Sequence, residues 1–258
     1  MTDFSVAHGP HTLRGSILSN AGGELPRVLA LHGGGAQASR RGIRYLLDGL
    51  VEGGVPCASF DFSGHGESEG PLEGSSLAHR VAQARTVAEH VAPGRPMSLI
   101  ASSMGGHIAC ALIPVLNPSA LLLFCPAAYV AEAEGAPFGP RFQGLLRATR
   151  DEDYAASPAF AALDRFEGRL LLVLGGEDAV IPAAVLAQYE QRARRAKRVE
   201  VLRLAGAGHK LHEWRPAHPR DHARVPRGRA AHAGVAPAPL SRGPTAASST
   251  APAPAAHR

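Results

Sequence analysis

The chain has 258 residues, enough for one α/β domain with a full core. Apolar residues make up 45% and charged residues 19%, the balance of a soluble globular chain, and the most apolar segment, Leu121 to Val130, is broken by Pro126 and too short to cross a bilayer. The formal charge of +5 does not describe a nucleic-acid-binding body: from Arg215 onward seven arginines face one acid, Asp221, so that segment carries +6 and residues 1–214 carry −1.

The predicted elements alternate. Residues 11–18 read as a strand, followed by a short apolar run at 28–31. Ile43, Leu46, Leu47 and Leu50 form a helical stripe that Gly53 and Gly54 end. A strand is expected at 55–60 and an amphipathic helix at 77–91, with Ser75 or Ser76 as its cap. Another strand at 97–101 leads into a helix-like run, His107 to Ile113, and a further strand at 120–125 follows. About 40 residues, 126–168, then separate that strand from the next at 170–174, a connection longer than usual and a candidate lid. Within it lies an amphipathic run, Phe138, Phe142, Leu145 and Leu146. Pro182 suits a first helical position, and the last predicted strand is 199–204. Strands alternating with helices imply a mostly parallel central sheet with helices on both faces, which binds ligands outside the carboxyl ends of its strands.

Cys57, Cys110 and Cys125 are few, odd in number and without C-x-x-C spacing, so reduced buried thiols are expected. The N-terminus shows no signal-peptide pattern, and a cytoplasmic address is the expectation. Residues 215–258, rich in Pro, Ala, Arg and Ser without apolar periodicity, read as a disordered tail after a domain spanning 1–214.

Chemistry concentrates at the predicted strand ends. Ala101-Ser102-Ser103-Met104-Gly105-Gly106 joins a strand to a helix, and small residues flank Ser103 on both sides. Such a sharp turn projects the hydroxyl above the sheet edge at a helix N-terminus, the geometry of a nucleophile; a plain helix cap would explain the serine but not its small neighbours. Asp178 lies just past the strand 170–174, where it is either a turn acid or a carboxylate that orients a base. His209 follows Gly206-Ala207-Gly208 past the last strand, either as an ordinary loop histidine or as that base. The chain order Ser, Asp, His links all three. Gly33-Gly34-Gly35 after the strand 28–31 offers uncluttered N–H groups for an oxyanion, with Gly34 the first choice, Gly35 the next, and the N–H of Met104 the second donor.

These segments, together with Leu31-His32-Gly33-Gly34, Asp61-Phe62-Ser63-Gly64-His65-Gly66-Glu67-Ser68, and Gly176-Glu177-Asp178 with Pro182, resemble the α/β-hydrolase superfamily over roughly residues 11–212. The likeness is to its small esterases, thioesterases and serine-aminopeptidase-type members. It implies Ser103 as nucleophile, Asp178 as orienting acid and His209 as general base, acting on a carboxylic ester or thioester without a cofactor. It also implies that Asp61 and His65 belong to a structural turn. Two departures stand out: Ala101 replaces the usual first glycine, and the chain after Trp214 runs into the tail where such proteins continue into a helix. A frameshifted or truncated ending is the expectation for that tail.

Two other readings compete. Gly33-Gly34-Gly35-Ala36-Gln37-Ala38 matches G-x-G-x-x-A, with Asp61 after the next strand, as a dinucleotide-binding fold requires, but leaves Ser103, Asp178 and His209 unexplained. Alternatively the chain is a catalytically inactive binder on the same fold. His209-Lys210-Leu211-His212 does not match a zinc-hydrolase H-E-x-x-H pattern, and the tail arginines lack interleaved aromatics for stacking bases.

Overall fold

Runs of apolar residues that bury alternate side chains on opposite faces build the centre of the molecule, a computed structural model that describes residues 1–20 and 23–211. The strands are β1 (Thr2–His8), β2 (His11–Leu18), β3 (Val28–Leu31), β4 (Cys57–Phe60), β5 (Ser98–Ser102), β6 (Ala120–Phe124), β7 (Arg169–Gly175) and β8 (Arg198–Leu204). They form one sheet in the order β1-β2-β4-β3-β5-β6-β7-β8. β1 and β2 pair antiparallel, β2 meets β4 antiparallel, and every pairing from β4 to β8 is parallel.

The helices are α1 (Asp48–Glu52), α2 (Leu77–Val91), α3 (Met104–Ala111), α4 (Ile113–Leu116), α5 (Ala131–Glu134), α6 (Pro140–Ala148), α7 (Pro158–Leu163) and α8 (Ala183–Arg192). Leu29, Leu31, Leu99, Ala101, Leu121, Leu123, Leu170 and Leu172 turn to one face, against buried residues of α2, α3, α7 and α8. Val28, Ala30, Ile100, Leu122, Leu171 and Val173 turn to the other, where Leu46, Leu47, Leu50 and Leu211 pack. This period of two with both faces apolar is the mark of a covered parallel sheet.

Three elements depart from the expected pattern. β1 was not expected: its alternation of half-buried Phe4 and Val6 with exposed polar residues is the weak signature of an edge strand. The stripe from Ile43 to Leu50 forms a 3-10 turn at Arg44–Leu46 and then the short α1, because buried positions three and four apart serve either helix type. Pro182 sits one position before α8 as its N-cap, with an extended ψ of 139°.

The segment 126–168 divides. α7 belongs to the core, with Phe160, Leu163 and Phe166 at most 1% exposed, whereas α5 and α6 lie against α2 and α3 through an aromatic cluster. In that cluster Tyr129 meets His107 edge-on at 5.2 Å, Phe142 lies 5.4 Å from Tyr129, and Arg80 sits over Phe138. All three cysteines are free and buried, as their composition implied. Among the described residues no helix is long and apolar enough to cross a membrane. The expected tail at 215–258 and its boundary at 214 fall outside the described residues.

Candidate active site

Ser103 joins β5 to α3 with φ 54° and ψ −122°, a conformation that costs a non-glycine residue roughly 1–3 kcal/mol. Its main chain is held on both sides. The Ser103 N–H donates to Phe124 O at 3.0 Å, and the Ser103 carbonyl accepts from Gly106 N at 2.8 Å and Ala127 N at 2.9 Å. The flanking glycines are demanded by space: a Cβ on Gly105 would lie 2.6 Å from Leu31 O, and one on Gly106 would lie 2.5 Å from Pro126 Cβ. Although Ser103 occupies the N-cap position, its side chain makes no capping hydrogen bond. The hydroxyl instead lies 3.1 Å from His209 Nε2.

His209 Nδ1 is 2.9 Å from Asp178 Oδ2. An ionised carboxylate only accepts, so Nδ1–H donates to it and Nε2 keeps a lone pair for the serine O–H. The other oxygen, Asp178 Oδ1, accepts from Val180 N at 2.9 Å and Ile181 N at 3.1 Å. Burial pushes the Asp178 carboxyl upward. The hydrogen bonds from His209, Ile181 and Val180 outweigh that effect and hold it below its ordinary value. The Asp178 side chain is 1% exposed and that of His209 18%. The two loops are stitched together, Gly176 N to Leu204 O and Glu177 N to Ala207 O, both at 2.9 Å. Gly175 makes room for this: a Cβ there would lie 2.5 Å from Gly208 O.

The glycine loop lies over the same point. A Cβ on Gly33 would come to 3.2 Å from Ser103 Cβ, and one on Gly34 to 2.9 Å from Met104 Sδ. Met104 opens α3, at the first helical position, where an N–H has no carbonyl of its own helix to reach. Two imidazoles hold the loop from behind. Buried His32 donates from Nδ1 to Gly33 O at 2.8 Å and accepts at Nε2 from Phe62 N at 3.1 Å. Burial lowers the His32 pKa to about 3 and keeps it neutral. His65 Nε2 reaches Gly35 O at 3.2 Å, while its Nδ1 faces Arg80. Burial and that guanidinium lower its pKa.

The dinucleotide motif is accounted for otherwise. Asp61 is 1% exposed and its carboxylate is taken by the Arg40 side chain, by Arg40 N at 2.6 Å and by Glu67 N at 3.1 Å, so no oxygen is left for a ribose. Turns follow Gly35 in place of the helix that a pyrophosphate site needs. The structure thus brings Ser103, Asp178 and His209 into one hydrogen-bonded chain, with Gly34 and Met104 beside it. His32, Arg40 and Cys125 also support or adjoin it, unassigned by the sequence. His32 directly before the glycines was the one available hint. Among the described residues, Cys125, Asp178 and His209 are the one group of three donors close enough together to hold a metal ion.

Comparison with known proteins agrees with this architecture. Residues 25–152 match the family described as serine aminopeptidase, S33. The chain has the α/β-hydrolase fold. No curated protein matches it. Among solved structures, this chain is similar to a protein from Butyrivibrio proteoclasticus with ferulic acid bound, at 15% identity and TM-score 0.65 over 89% of this chain and 98% of that one. The thioesterase domain from the curacin biosynthetic pathway shares 19% identity at TM-score 0.62, covering 87% and 98% of the two chains. A bromoperoxidase from Bacillus anthracis shares 14% at TM-score 0.64, covering 88% and 100%. At these identities the likeness is one of fold.

Proposed function

We propose that the protein is a serine hydrolase that cleaves carboxylic esters or thioesters through an acyl-enzyme. The reading rests on one observation, the continuous hydrogen-bonded chain from Ser103 Oγ through His209 to Asp178. His209 Nε2 takes the hydroxyl proton as Ser103 Oγ attacks the acyl carbon. Asp178 holds the imidazole tautomer and stabilises the imidazolium. The N–H groups of Gly34 and Met104 bind the oxyanion. His209 then protonates the leaving alkoxide or thiolate, and a water molecule repeats the sequence to release the acid. The machinery needs no cofactor. We assign acyl selection to residues 126–148, a segment whose start is tied to the nucleophile by the bond from Ala127 N to Ser103 O.

The test is a panel of p-nitrophenyl esters of increasing chain length, acyl-thioesters and aminoacyl anilides, run beside fluorophosphonate labelling. Ester or thioester turnover and a label on Ser103 are expected. Ser103→Ala lowers turnover roughly 10⁴-fold, and adding His209→Ala costs little more because the groups act as a unit. Multiplying losses, or a label on another serine, would refute the assignment.

A further inference from the structure

We propose that Cys125, Asp178 and His209 form a binding site for a zinc ion that switches the hydrolase off. One Cys125 Sγ, one Asp178 carboxylate oxygen and one His209 ring nitrogen all lie within 4.8 Å of one another. Cys125 directly follows β6 in a left-handed conformation, φ 43°, with its N–H donating to Val173 O at 2.9 Å. That backbone, unusual for a non-glycine residue, places the cysteine at the same sheet edge as Asp178 and His209. The other two thiols lie elsewhere in the core and are not part of the group.

The donor set selects the ion. Thiolate, imidazole and carboxylate together suit a borderline-soft cation of low coordination number, while magnesium and calcium require a shell of oxygens. The charges also close, since one thiolate and one carboxylate neutralise Zn²⁺. Zinc bonds of about 2.0–2.3 Å put tetrahedral donors about 3.3–3.6 Å apart. The present spread, from 2.9 Å between Nδ1 and Oδ2 up to the 4.8 Å limit, brackets that value. Gly206, at φ 72°, and Gly208 give the His209 loop the freedom to adjust. A water molecule would fill the fourth position.

Inhibition follows from proton bookkeeping and rests on the catalytic reading given above. Zinc needs the Nδ1 lone pair, so the imidazole proton moves from Nδ1 to Nε2. Nε2–H then points at Ser103 as a donor and can no longer accept its proton. The Cys125 S–H bond breaks in favour of the Zn–S bond, and that proton goes to solvent, one released per ion bound. Burial holds the free thiol at a pKa of about 12, so it is displacement by the metal that ionises it.

The experiment separates binding from catalysis. Co²⁺ is titrated into the wild type, Ser103→Ala, Cys125→Ser and Cys125→Ala, reading the thiolate-to-cobalt charge-transfer band in the near ultraviolet, and bound Zn²⁺ is measured by competition with a chromogenic chelator. One equivalent with the band is expected in the wild type and in Ser103→Ala, and loss of the band in both Cys125 variants. The Zn²⁺ concentration that halves ester turnover, measured against each protein's own metal-free rate, should rise at least 30-fold in the Cys125 variants. Binding without a thiolate band, or binding that survives both Cys125 variants, marks adventitious capture by surface histidines and overturns the site. A thiolate-bound ion that leaves wild-type turnover unchanged overturns the switch. A wild type without any ester or thioester turnover defeats the hydrolase reading, and the cobalt band still decides the site.

Discussion

Gly175→Ala should damage chemistry more than it damages the fold. The added Cβ would lie 2.5 Å from Gly208 O and 2.6 Å from Ala207 O, both main-chain atoms that cannot rotate away. Ordinary contact needs about 3.2 Å or more, so the two loops must part by roughly 0.7 Å. The displaced loop carries His209, whose Nε2 now stands 3.1 Å from Ser103 Oγ. Misplacement on the order of 1 Å costs a well-aligned reaction about 10²-fold, so kcat should fall 30- to 100-fold, an order-of-magnitude figure, with KM little changed. The overpacking itself costs about 1–3 kcal/mol. The assays are steady-state hydrolysis of p-nitrophenyl acetate, the rate of fluorophosphonate labelling at Ser103, and urea unfolding. Gly42→Ala serves as the control, because an added Cβ there would meet nothing nearer than Ser39 O at 3.5 Å, an ordinary contact. It should leave turnover unchanged and add about 0.4–1 kcal/mol of stability by restricting the unfolded chain. If Gly175→Ala is as active as the wild type, the packing of these loops does not position the base and the reasoning fails.

Two further outcomes follow from the shell around the site. His32 has its pKa lowered from 6.5 to about 3, so below pH 6.5 the unfolded chain takes up a proton that the native state refuses. The stability is present above pH 6.5 and is lost as the pH falls toward 3. Between pH 7 and 5 the loss attributable to His32 is about 2 kcal/mol. Urea unfolding of the wild type and His32→Gln at both pH values checks this, and parallel losses in the two proteins would exclude it. Arg40→Met leaves the Asp61 carboxylate buried without its cation, which should cost about 3–5 kcal/mol, whereas adding Asp61→Leu should recover much of that. Chemical denaturation of both variants measures the difference, and a double variant less stable than Arg40→Met would contradict it.

Position along the chain was legible where a strand run ended in small residues. Ser103, Asp178 and His209 each stand just past an apolar run and within two residues of a glycine, so their placement at one sheet edge could be anticipated from spacing. The alternation that builds the covered parallel sheet was equally plain in the runs around Leu29, Leu99, Leu121 and Leu170. What escaped was contact at a distance. Arg40 lies in an irregular loop, and nothing in its neighbourhood marks it as the partner of Asp61. Cys125 could be read only as a buried thiol, because its nearness to Asp178 and His209 arises from strand order and from a left-handed turn. β1 escaped for a different reason: half-exposed alternation in a short edge strand resembles loop sequence.

Ser103 is anchored through its peptide group to Phe124 and Ala127, the root of the excursion that carries α5 and α6. Descendants of this protein therefore have unequal licence along that stretch. Exchanges at 124–127 strain the elbow itself, whereas the segment beyond Tyr129 can be rebuilt while the reacting hydroxyl stays where it is. Diversification of acyl preference should accordingly concentrate in α5 and α6 and halt abruptly at Ala127.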